Sequence, residues 1–110
     1  MKNIIEDFIS LAIEDGKANE EGNYRVVNRL YKKFKGIFKK IETTENYEEI
    51  YKVLLTNNDK YVSYKAAVRC LTLGIMTDDS EKILRSVEKE KGTLAFISGM
   101  ILKKHGLKVN

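Results

Sequence analysis

Residues Ile50–Leu73, IYKVLLTNNDKYVSYKAAVRCLTL, decide the fold. An apolar pair, Leu54 and Leu55, closes one helix. The polar turn Asn57-Asn58-Asp59 breaks it, and a second helix then carries Val62, Ala66, Ala67, Cys70 and Leu71 toward a neighbour. Two helices joined by so short a turn lie antiparallel. The rest of the chain reads as helices packed on either side of this hairpin.

Upstream, a first helix is expected from Asn3 to Lys17. Asn3 is its N-cap, and Ile5, Phe8, Ile9 and Ala12 fall on one face at i, i+3, i+4 and i+7. Ile4, Leu11 and Ile13 widen that stripe, so the helix is covered on more than one side. Gly16 is expected to end it, with Lys17–Asn23 as the turn. The second helix, Tyr24–Ile41, has the strongest periodicity: Val27, Leu30, Tyr31, Phe34, Phe38 and Ile41. Gly36 sits on its opposite side, either at a bend, under a close neighbour, or simply in solvent.

The third helix, Glu45–Thr56, is capped from Thr44 and buries Tyr47, Ile50, Val53 and Leu54. The fourth, Lys60–Leu73, is stopped by Gly74 in a left-handed conformation. The fifth starts between Asp78 and Ser80, where acids suit the helix dipole, and buries Ile83, Leu84 and Val87. The sixth, Thr93–His105, buries Leu94, Ile97, Ile101 and Leu102, carries small residues at Ala95, Ser98 and Gly99, and ends at Gly106. The expected class is all-α, a single domain of about six antiparallel helices over residues 1–110.

Composition excludes several functions. At 43% hydrophobic and 33% charged, the chain has a globular balance, and without proline its helices run unbroken. Cys70 is the only cysteine, so no intrachain disulfide forms, and its apolar neighbours make it a small core residue. The first sixteen residues carry acids inside their apolar stretch, unlike a signal peptide, and no segment is long and apolar enough to span a bilayer. A cytoplasmic protein without membrane attachment is expected. One histidine and one cysteine, far apart, do not make a metal site. His105, in the last turn of the last helix, suits the dipole there, and Asp78 and Asp79 read as helix-start acids. No phosphate loop or nucleophile motif is present. The expectation is a non-enzyme with no catalytic, cofactor or metal residues.

Charge is segregated. Residues 1–24 hold six acids and two lysines, whereas residues 25–40 hold seven bases and no acid. On the second helix Arg25, Arg29, Lys32, Lys39 and Lys40 project within about 60° of the pole opposite Val27. Lys65 and Arg69 of the fourth helix, and Lys103 of the sixth, extend that strip if second helices of successive hairpins share a side. Asn28 stands at the edge of the apolar stripe, where a partly buried amide needs a partner. Tyr61 and Tyr64 are candidate exposed anchors. The candidate partner-binding set is Arg25, Asn28, Arg29, Lys32, Tyr64, Lys65 and Arg69, and the expected partner is a protein with an acidic surface. Nucleic acid held through its phosphates is the alternative. No aromatic platform is clearly interleaved with the bases, which argues against reading of nucleic-acid sequence.

The central hairpin resembles a HEAT repeat in Leu54, Leu55, Asn58, Asp59, Val62, Ala66, Ala67 and Leu71. Paired alanines let two helices sit close, and the turn acid caps the second. The pattern departs at Ser63, where such repeats carry an arginine that ties neighbouring repeats together. The whole chain is similar to a family of small bacterial HEAT-like proteins of uncharacterised function, through Asn28-Arg29, Val62–Leu71 and the small-residue helix before Gly106. The resemblance implies three HEAT-like hairpins in a short right-handed α-α superhelix, and a binding surface or scaffold without catalysis. A toxin-neutralising, immunity-type protein is one instance, and some bacterial HEAT-like proteins act on DNA.

Overall fold

The computed structural model describes residues 3–106, which form six helices and, among these residues, no strand. They are α1 (Ile4–Glu20), α2 (Tyr24–Glu42), α3 (Tyr47–Leu55), α4 (Lys60–Leu73), α5 (Thr77–Glu88) and α6 (Thr93–Lys104). The all-α class therefore stands. The helices α1 and α4 form the middle of the molecule. α1 packs on α2, α3, α4 and α6, while α4 also packs on α3 and α5.

Local chemistry accounts for most boundaries. The Asn3 side chain accepts from the Ile5 N–H, and Asp59 accepts from Tyr61 and Val62, so both helices start on a side-chain cap. Gly74 adopts φ 73°, the left-handed turn that lets Ile75 donate to the Cys70 carbonyl and closes α4. The core runs from Phe8 and Phe34 through Tyr51, Leu54 and Val62 to Leu84, Leu94 and Leu102, all buried. Phe8 meets Phe34 edge-on at 5.7 Å and Phe38 at 6.2 Å, locking α1 to α2, while Phe34 stacks on Phe38 within α2 at 5.6 Å.

Several expectations are corrected. Gly16 does not end α1, which continues one turn to Glu20. Gly16 is buried, and a Cβ there would overlap the Tyr61 ring, so its lack of a side chain is what lets α4 lie against α1. Gly36 faces open space, the simplest of its three readings. Thr44 does not cap α3; its hydroxyl donates back to the Ile41 carbonyl, closing α2 instead. Val53 is 54% exposed, and Tyr51 and Leu55 take its place in the core. Thr77 opens α5 one residue earlier than expected, after Met76 in a left-handed conformation at φ 44°.

Candidate functional site

A groove of about 550 Å³ opens between α2 and α4. One wall is the column Tyr31, Lys35 and Lys39 on α2, spaced four residues apart and thus stacked along one side of the helix. The other is Lys65, Val68, Arg69 and Thr72 on α4, and Phe34 and Phe38 contribute to the lining between them. The groove alternates cations with aromatic rings. Lys65 Nζ lies 4.4 Å from the Phe34 centroid, the Arg69 guanidinium 4.6 Å from that of Phe38, and Lys35 Nζ 5.0 Å from that of Tyr31. Each cation is attracted to the negative face of its ring.

The two α4 cations are held from behind. Lys65 reaches Asp15, a buried α1 carboxylate, at 3.6 Å. Asp15 also accepts from the Asn19 side chain. Arg69 donates twice to Glu42, through Nε at 2.8 Å and Nη2 at 2.6 Å, and the buried Tyr51 hydroxyl donates to the same carboxylate. The fork geometry fixes the guanidinium plane over Phe38. Hydrogen bonding from Arg69, reinforced by Tyr51, holds the Glu42 carboxyl below its ordinary range against the opposing effect of burial. Burial first, and then Glu42, pushes the Tyr51 phenol far up. In contrast, Lys35 and Lys39 are exposed, and among the described residues no carboxylate lies within 4 Å of them.

Of the candidate binding residues, Lys65 and Arg69 line this groove. Arg25, Asn28, Arg29 and Lys32 are exposed on the N-terminal half of α2, outside the groove lining, and Arg29 pairs with Glu14 at 3.0 Å. Asn28 is therefore not a half-buried amide: the helix turns it to solvent. Tyr64 is not an exposed anchor either. It is buried at 6% exposure, and burial together with the Asp15 charge raises its phenol. Tyr61 is partly buried against Gly16, with its hydroxyl donating to Glu20. The exposed tyrosines are Tyr24, at 62%, and Tyr31, at 60%; of these Tyr31, which periodicity alone places in the core stripe, lines the groove.

Tyr31, Lys35, Val68 and Thr72 are the residues that sequence reasoning missed. A signal for them exists: two columns at i, i+4 on α2 and at i, i+3, i+4, i+7 on α4 become one groove once the two helices face each other. No group of His, Cys, Asp and Glu among the described residues is arranged to hold a metal ion. No helix among them is long and apolar enough to cross a membrane. Comparison with protein-family models, with curated proteins and with solved structures finds no match to this chain.

Proposed function

We propose that this chain is a non-enzymatic protein-binding module whose α2–α4 groove takes an acidic segment of another protein. The observation that carries this reading is the pairing of an aromatic and aliphatic lining with two cations, Lys35 and Lys39, that have no carboxylate within 4 Å among the described residues. An acidic segment with an apolar anchor side chain satisfies both features: the anchor meets Phe38 and Val68, and its carboxylates meet the lysines. Arg25 and Lys32, further up α2, would steer such a partner at longer range.

The same groove suits single-stranded nucleic acid less well. Stacking needs open ring faces. Here Lys65 and Arg69 lie over Phe34 and Phe38, which leaves Tyr31 as the exposed ring.

In this reading α1–α2, α3–α4 and α5–α6 are three HEAT-like hairpins of a short right-handed superhelix, and α2 and α4 are successive second helices sharing a side. The packing of each pair and the reach of Lys65 to Phe34 support it. The module would work in the cytoplasm, and neutralising a toxin by covering its acidic surface is one form the function would take.

Selection from a displayed peptide library tests the reading. Enriched peptides should combine Asp or Glu with one aromatic or aliphatic anchor, and Lys35→Glu/Lys39→Glu should fail to enrich them while keeping native helicity. Enrichment of basic or uncharged peptides, or equal enrichment by the variant, would overturn it.

A further inference from the structure

The last helix presents a second surface, unrelated to the groove. From Leu94 to Leu102, LAFISGMIL, α6 carries nine residues without a charge. One side, Leu94, Ser98 and Leu102, is buried against the body of the molecule, where α6 packs on α5 and α1. The other side is apolar too, yet open: Phe96 is 70% exposed and Met100 57%, the former being the most exposed large hydrophobic among the described residues. A helix that is apolar all round belongs in an interior. An exposed apolar patch rimmed by charge marks an interaction surface.

We infer that this face of α6 is the two-fold interface of a homodimer. The occupant is specified by how size and charge are distributed along the face. Gly92, Ala95, Phe96, Gly99, Met100 and Lys103 line a shallow groove of about 440 Å³, with Glu88 and Glu90 at its other edge. Large and small residues alternate along it. In an antiparallel pairing that sets Gly92 opposite Lys103 of the second copy, Phe96 falls opposite that copy's Gly99, and Met100 opposite its Ala95. Each large side chain thus enters the space left by a small one, which is what close helix approach requires.

Charge obeys the same symmetry. Glu88, the last residue of α5, and Glu90, in the connector to α6, flank the start of the face, and Lys103 lies at its end, about 16 Å along the helix from Gly92. A two-fold axis through the middle brings the acidic end of each copy to the basic end of the other, the self-complementarity an isologous interface demands. A parallel pairing would set like charges together. An unrelated acidic or basic partner would be repelled at one end.

Sedimentation velocity on the full chain over a wide concentration range tests this. A reversible dimer is expected. Phe96→Glu, at a position exposed in the single copy and therefore harmless to folding, should weaken it by about 100-fold or more, since a central aromatic anchor is lost twice in a symmetric pair. Glu90→Lys and Lys103→Glu should each weaken the dimer alone, because each sets like charges together. Mixing these two variants should restore a heterodimer in which both ion pairs are regained. Circular dichroism confirms that each variant is folded; Glu90 also meets Lys60 within the chain, an exposed pair whose loss leaves the fold intact. A monomer at every soluble concentration, a dimer indifferent to Phe96→Glu, or a mixture no tighter than its components would overturn the inference.

Discussion

Lys65 answers two neighbours at once, the buried Asp15 carboxylate behind it and the Phe34 ring beneath it. The two ends of this ion pair are not equivalent. Asp15 is 4% exposed, whereas about a fifth of the Lys65 side chain reaches water. Lys65→Met strands a buried carboxylate and should cost about 3 kcal/mol, whereas Asp15→Asn leaves an ammonium that can turn to solvent and should cost about 1 kcal/mol. Urea unfolding of the two variants measures the difference, and equal losses would show that Asp15 is solvated. Titration extends the same reasoning. Arg69 lowers the Glu42 carboxyl from its ordinary 4.5, so its contribution to stability is present above pH 4.5 and lost as pH falls through the folded value. Burial raises the Cys70 thiol from 9.0 to about 11. Its contribution is complete below pH 9 and disappears as pH rises toward 11, because the unfolded chain loses the proton first. Melting temperature should therefore fall on both sides of neutrality. Glu42→Gln should flatten the acid limb. Cys70→Ala should reduce the alkaline limb without abolishing it, since Tyr51 and Tyr64 are raised too. In the native protein near pH 8, Cys70 should react with a thiol reagent only on unfolding.

At the scale of the helix, two glycines offer a paired experiment. Gly36 faces open space on α2, so Gly36→Ala should stabilise the protein by about 1 kcal/mol through helix propensity alone. Gly16 lies under the Tyr61 ring, so Gly16→Ala should destabilise by about 1–3 kcal/mol despite the same propensity gain. Tyr61→Ala should relieve most of that penalty when combined with it. Thermal unfolding checks all three, and a stabilising Gly16→Ala would contradict the α1–α4 packing. The pair also shows what sequence can reveal. The limits of α4 were legible because Asp59 and Gly74 act on their own backbone. The end of α1 was not, because Gly16 serves a contact with a residue more than forty positions away. Tyr51 takes the place expected of Val53 for a similar reason: both fit the apolar period of a short helix, and the buried one, Tyr51, has a hydroxyl partner, Glu42, that lies on another helix.

For the whole molecule, the segregation of bases onto α2 was visible in the sequence, and so was the chance that Lys65 and Arg69 join them. What could not be seen was the rotation of α2 about its axis relative to α4. That rotation is set by the Phe8–Phe34–Phe38 cluster and by the seats of Lys65 and Arg69 on those rings. It brings the Tyr31–Lys35–Lys39 column to the groove and leaves Arg25, Arg29 and Lys32 on the open flank. Reversing those three charges to glutamate should slow partner association and make it less sensitive to salt, while Lys35→Glu/Lys39→Glu should abolish binding. The most direct test of the groove as a binding site is capture from nuclease-treated native lysate at low and high salt, with the wild-type chain beside Lys35→Glu/Lys39→Glu. The expected result is one stoichiometric acidic protein that the wild type retains through nuclease and salt and the variant does not hold. Nucleic acid that disappears with salt or nuclease, or a protein held equally by the variant, would contradict it.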